Sequence, residues 1–270
     1  MSAIIATVRD SLRDDAGEWR LSGWQVTAIA LIPFIIALSG IVAFPVRRLY
    51  AVLANEDGVV EWAQFGVLIV LIVAYAMLAR RLWRADRRHL AVFYALCSLA
   101  AVFIAGEEIS WGQRILGFST PAELEAINAQ GETNLHNIGL ITKVFNLVVL
   151  GICSLAILLP ILRWTGWRDA PRTIAGYVLI PPLALIPAFG FPFVHRMIRL
   201  GLFPEVGERV SKYAEFAELS FYFGLLVFVL LAIRAVRGRW FEPDDADDDV
   251  DAADARIGEP LAPANGQRIR

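Results

Sequence analysis

Apolar residues in this chain gather into six long blocks, at about 24–44, 59–79, 90–108, 144–162, 174–198 and 213–236. A hydrocarbon layer about 30 Å thick takes roughly 20 helical residues to cross, and each block meets or nearly meets that length. A spanning segment has to satisfy its own backbone hydrogen bonds, which favours helices. None of the blocks alternates with a period of two, so a barrel is not indicated. The pattern predicts an all-α polytopic membrane protein, a bundle of six transmembrane helices. Composition agrees: 57% of the 270 residues are hydrophobic and the mean hydropathy is +0.55.

The polar stretches divide the chain into an N-terminal segment 1–23, a transmembrane domain 24–238 and a tail 239–270. Arg9, Asp10, Arg13, Asp14 and Asp15 precede the first block, unlike a cleaved secretory signal. Ile4, Ile5, Val8 and Leu12 recur at helical spacing, so residues 2–22 read either as an amphipathic helix on the membrane surface or as a short solvated leader. The tail holds nine Asp or Glu against four Arg, the composition of a disordered, solvating segment. Cys97 and Cys153 fall inside different blocks without metal-site spacing, and read as small buried side chains. There is no Gly-rich phosphate loop and no sign of a nucleic-acid partner.

Six spans put both termini on one side. With the N-terminus in the cytoplasm, fourteen Lys or Arg lie inside and eight outside, the direction of the positive-inside rule. The acids run the other way. Outside the tail, twelve of eighteen fall on the outer side, among them Glu61, Glu107, Glu108, Glu132, Glu215 and Glu218.

Helical rise converts these positions into depth. Glu61 is nineteen residues from Arg80, and Glu107 nineteen from Arg88, which places both at the outer boundary, about 28 Å up. Glu218 is sixteen residues from Arg234, about 24 Å, below the headgroups. An ionisable group at that depth needs a partner, a cavity or an ion. Asp57 and Glu61 are four apart and Glu215 and Glu218 three apart, so each pair can share a helix face. Glu107 and Glu108 are about 100° apart, so one of them can face a site while the other orients a neighbour such as Arg114.

Between the third and fourth blocks, Thr120, Pro121 and Glu123 match a helix start with Thr as N-cap, predicting a short outer helix from 121 to about 128 that Gly131 ends. Glu132, Thr133, Asn134, His136 and Asn137 follow as a polar cluster able to fold over the acids. The fifth block contains Pro181, Pro182, Pro187 and Pro192, which predicts a broken helix, and ends with His195, Arg196 and Arg199.

These pieces converge on a carboxylate and imidazole site. The expected metal ligands are Glu61, Glu107, Glu108, His136 and Glu218, with Glu108 and His136 also as catalytic acid or base. Carboxylates with imidazole suit Zn, Mn or Fe, and acids alone suit Ca or Mg. Arg114, Arg196 and Arg199 are the candidates for holding an anionic substrate group. The implied function is a metal-dependent hydrolase or transferase acting on a lipid or lipid-linked substrate at the outer leaflet. The competing readings are an ion-coupled transporter built on Glu218 and the broken fifth helix, and an assembly subunit in which the acids simply pair with the arginines. No HExxH or GxSxG motif is present.

The strings GEEISWGQ and GETNLHN, with EDGVVEW, resemble an uncharacterised group of bacterial multi-span membrane proteins. The expected location is a bacterial inner membrane, and the resemblance implies no particular activity. It does not extend to the alkaline ceramidase type of membrane hydrolase, since HxxxH is missing.

Overall fold

The computed structural model describes residues 2–54, 58–128, 131–166, 172–202, 210 and 213–240. Among them there is no strand, only an isolated bridge between Asn128 and Ile138. The helices are α1 (Ser2–Glu18), α2 (Gly23–Ala43), α3 (Arg47–Ala54), α4 (Val59–Arg84), α5 (Arg88–Glu108), α6 (Gln113–Leu116), α7 (Ala122–Glu125), α8 (Gly139–Gly166), α9 (Ile174–Leu179), α10 (Ile186–Met197) and α11 (Ala214–Gly238). Six stretches are long and apolar enough to cross a membrane. These are α2, the α3–α4 stretch, α5, α8, the α9–α10 stretch and α11.

Burial sorts them. Half of the apolar window is buried in the α9–α10 stretch and in α11, against 17% in α2, so α10 and α11 are central and α2 is peripheral. α4 packs on α5 and α11, while α10 packs on α8, α11 and α2. Close approach is set by small residues: a Cβ on Gly224 would lie 3.0 Å from Ala188, and one on Gly40 would lie 2.9 Å from the Phe216 ring. Ser220 Oγ donates to the Ala188 carbonyl at 3.0 Å.

The fifth span breaks where its prolines predict. α9 ends at Leu179, Ile180 to Pro182 run extended, and a 3-10 turn over Leu183–Leu185 leads into α10. The freed backbone groups find partners in Asp15 on α1 and in Arg172, just before α9. Asp15 Oδ2 accepts from Leu183 N–H at 2.7 Å, and Arg172 donates to the Ile180 carbonyl at 3.4 Å. Asp15 and Glu18 pair with Arg172, Glu18 also pairs with Arg163, and Trp19 is fully buried under the Arg172 guanidinium. Residues 2–18 are therefore helical and pinned to the bundle rather than a loose leader.

The outer helix is shorter than expected, four residues at Ala122–Glu125. Thr120 does not cap it, because the helix starts one residue late with Pro121 in the N-cap position, and the Thr120 hydroxyl oxygen accepts from Gln113 and Thr133 instead.

Candidate functional site

At the end of the bundle carrying the acids, a cavity of about 260 Å³ is lined by Glu61, Glu108, Glu132, Asn134, His136, Asn137, Asn146, Arg196, Arg199, Glu215 and Glu218, among others. Five helices and a loop supply them: α4 gives Glu61, α5 gives Glu108, α8 gives Asn146, α10 gives Arg196 with Arg199 just beyond it, α11 gives Glu215 and Glu218, and the segment before α8 gives His136. Oxygens of Glu108, Glu215 and Glu218 lie within 4.8 Å of one another. That is the spacing at which three carboxylates can share one cation.

Each of the three is held by a neighbour. Tyr222 OH donates to Glu108 Oε1 at 2.9 Å. Gln64 Nε2 donates to the Glu215 carbonyl at 2.7 Å and to Glu215 Oε2 at 3.2 Å. Glu218 Oε1 accepts from Arg196 Nη2. Arg196, 2% exposed, spends Nη1 on His195 Nδ1 at 3.1 Å. Since guanidinium is only a donor, His195 Nδ1 accepts and its Nε2 carries the proton, donating to the Val210 carbonyl at 3.0 Å. Arg196 Nε finds no hydrogen-bond partner among the described residues.

The two adjacent glutamates part company as their 100° separation requires. Glu108 enters the cavity; Glu107 turns away from it and is 3% exposed. Glu107 Oε1 accepts from Trp111 Nε1 at 2.7 Å, and Oε2 accepts from the backbone N–H groups of Leu135 at 2.6 Å and His136 at 2.8 Å. It also lies 3.4 Å from His136 Nδ1. Glu107 was expected as a ligand, but the structure places it behind His136, with both oxygens occupied. It bonds Trp111 and the loop and does not enter the cavity.

The chain leaves α5 through three successive left-handed residues, Ser110, Trp111 and Gly112, at φ of 46°, 54° and 79°. Non-glycine residues there cost on the order of 1–2 kcal/mol each, and side-chain bonds offset this. Ser110 Oγ donates to Glu132 Oε2 at 2.7 Å, and Gln113 Oε1 accepts from Thr133 N–H at 2.8 Å. Asn134 Nδ2 donates to Glu132 Oε2 at 2.7 Å, and Asn128 Nδ2 to Asn134 Oδ1 at 2.8 Å. The string GETNLHN is thus stitched to GEEISWGQ and covers the acids.

His136 sits in this cover. Burial works against its protonation, but the hydrogen bond to Glu107 and the charges of Glu218, Glu107 and Glu215 outweigh burial and raise its pKa above the ordinary imidazole value.

Of the expected site residues, the cavity brings together Glu61, Glu108, His136, Glu218, Arg196 and Arg199. Arg114 belongs to α6, but its side chain lies outside the described residues, as do Glu56, Asp57, Glu205, Glu208, Arg209, Lys212 and the tail from 241. His89 is exposed at the far end of α5. Sequence reasoning missed Tyr222, Gln64 and Asn146, and left Glu215 out of the ligand set. Spacing carried part of the signal, because Glu215, Glu218 and Tyr222 stand at i, i+3 and i+7 on one helix face.

Comparison with known proteins found no matching family model, no matching curated protein and no matching solved structure.

Proposed function

We propose that this cavity is a divalent-metal site in a membrane-embedded hydrolase or transferase that acts on a lipid or lipid-linked substrate bearing a phosphoryl group. The observation that carries this reading is the approach of Glu108, Glu215 and Glu218 to within 4.8 Å of one another. Among the described residues, five carboxylates line the cavity, those of Glu61, Glu108, Glu132, Glu215 and Glu218, together with the guanidinium groups of Arg196 and Arg199. Buried like charges at this spacing demand compensation, and a divalent cation supplies it in one step.

His136 fits the role of a nitrogen ligand or base. Its Nδ1 faces Glu107, the arrangement by which a carboxylate fixes an imidazole and leaves Nε2 for the site. Mixed oxygen and nitrogen donors suit Mn, Fe or Zn; the carboxylates alone would suit Mg or Ca. When bound, the ion would polarise a phosphoryl oxygen or lower the pKa of water. The chain's own residues do the rest. Arg196, with Nε still to be satisfied, and Arg199 would hold the anionic group, and Glu108 or His136 would take the proton from the attacking water or hydroxyl and return it to the leaving oxygen.

With both termini cytoplasmic in a bacterial inner membrane, this end of the bundle faces the outer leaflet. The test is elemental analysis of the purified full-length protein together with Glu215→Gln and Glu218→Gln. Close to one metal per chain in the parent and loss in both variants is expected. No stoichiometric metal in the parent would sink the reading.

A second reading, an ion-coupled carrier, is favoured by the interrupted α9–α10 span and the Arg196–Glu218 pair. It predicts that Glu218→Gln abolishes uptake into proteoliposomes while no product forms from any lipid.

A further inference from the structure

The chain leaving α5 is apolar where a water-exposed loop would be polar. From Ile109 to Ala122 the one charged residue is Arg114, while Trp111, Ile115, Leu116 and Phe118 are 47%, 65%, 74% and 40% exposed. A contiguous exposed apolar surface marks an interaction site. The position of Trp111 identifies the partner.

On α5, Val92, Leu96, Leu99 and Phe103 are exposed and recur at the spacing of a single helix face. In a helix long and apolar enough to cross a membrane, that stripe is the wall facing lipid. The next position on it is Gly106, which has no side chain. The Trp111 ring fills the gap: a Cβ on Gly106 would come within 2.9 Å of it, and its centroid lies 5.7 Å from that of Phe103, edge to face. The lipid-facing wall therefore continues without interruption from α5 onto Trp111, and the chain carries on into Ile115, Leu116 and Phe118.

We propose that residues 111–118 are seated in the bilayer at the boundary of headgroups and acyl chains, as a lipid anchor for the segment that covers the cavity. Tryptophan favours that level of the membrane, and short apolar elements bind there by burying their surface. The anchor and the cover are one mechanical unit. Glu107 grips Trp111 with one oxygen and the amides of Leu135 and His136 with the other, and Gln113 and Ser110 tie the anchor limb to Thr133 and Glu132. Lipid contact on one side thus holds the polar cover in place on the other, beside an acyl-chain environment from which an amphiphilic substrate would come. This inference rests on the loop and α5 alone and stands whether or not a metal binds.

The test uses the full-length protein in lipid nanodiscs. Nitroxide is attached at Ile115→Cys and, separately, Leu116→Cys, in a Cys97→Ala/Cys153→Ala background, with Glu123→Cys as a solvent-side reference. Oxygen should broaden the Ile115 and Leu116 spectra several-fold more than a water-soluble nickel chelate does, with the order reversed at Glu123. A cysteine-free check is quenching by brominated acyl chains, where Trp111→Phe should remove a quenchable share of the emission. Greater nickel access at both positions would overturn the proposal. So would spectra that neither reagent reaches, which would mean that protein covers the patch.

Discussion

Glu107→Gln removes one charge and almost no volume, and its consequences can be worked from the bonds it breaks. The carboxylate accepts three short bonds, from Trp111 Nε1 and from the N–H groups of Leu135 and His136. Glutamine has one acceptor oxygen. If that oxygen keeps the two backbone donors, the amide NH₂ confronts the indole N–H, donor against donor; the opposite orientation sets it against both amides. A bond to a charged acceptor contributes about 1.5–3 kcal/mol and a neutral one about 1 kcal/mol. Losing one bond and weakening two therefore destabilises the closed cover by on the order of 3 kcal/mol, or roughly a hundredfold in its opening equilibrium. Hydrogen exchange read by mass spectrometry in nanodiscs measures this directly. The peptide holding Leu135 and His136 should exchange about a hundredfold faster, while the core of α4 around Leu71 and Leu78, both buried, should not change. Glu108→Gln should do the reverse, lowering metal content and leaving the loop protected. Unchanged exchange in Glu107→Gln would refute the view that this residue locks the cover.

Three further outcomes follow from the same geometry. Tyr222→Phe takes away the donor to Glu108 and should weaken metal binding about tenfold, as loss of a group that orients a ligand commonly does, measured by titration calorimetry. Gly106→Ala drives a methyl to 2.9 Å from the Trp111 ring; it should lower thermal stability by roughly 1–3 kcal/mol and shift the Trp111 emission. Asp15 lies at the other end of the bundle, where burial outweighs the attraction of Arg172 and raises its pKa from 3.8 to about 6. An acid raised in the folded state favours folding while protonated, so the contribution of Asp15 is full below pH 3.8 and is lost as pH climbs through 6, about 3 kcal/mol in all. Melting curves from pH 4 to 7 should show that decline in the parent and a flat profile in Asp15→Asn, and equal slopes would contradict it.

The spans were legible because a membrane imposes one length and one chemistry on every crossing segment, so composition alone located them to within a few residues. That Glu61, Glu108 and Glu218 lie toward one end of the bundle was legible too, since helical rise converts sequence distance from the arginines into height to within a few ångströms. Direction around the helix was less so. Adjacent glutamates at the end of α5 have to diverge, yet nothing in GEEISWGQR tells which one faces inward until the left-handed turn at Ser110, Trp111 and Gly112 carries the chain back over Gly106. The expected N-cap at Thr120 failed for a related reason. A hydroxyl oxygen that could accept from a helix start can equally accept from the side chains of Gln113 and Thr133, and only the return of the loop decides between them. Gln64 and Tyr222 went unrecognised because each sits in an apolar run, where a single polar side chain has no meaning until its partner on another helix is known.

The distant end of the bundle bears on the site through the helix break. A continuous helix would fix residue 196 relative to residue 174 by its own geometry. Once Ile180 to Pro182 run extended, α10 is a separate rod whose register has to be set from outside. Asp15 holds its start through Leu183 N–H, and Ser220 bonds the Ala188 carbonyl while Gly224 admits the Ala188 methyl. From Ala188 to Arg196 is about 12 Å of rise, and on the antiparallel α11 Glu218 lies about 3–9 Å back from Ser220 and Gly224, so this contact leaves Glu218 within reach of the long Arg196 side chain. A slip of one residue would turn Arg196 by about 100°, breaking its bond to Glu218 on α11 and leaving a buried charge unpaired, at a cost of several kcal/mol. The break that removes backbone hydrogen bonds from the fifth span is what makes α10 positionable, and the clamp on α1 is what makes that position unique.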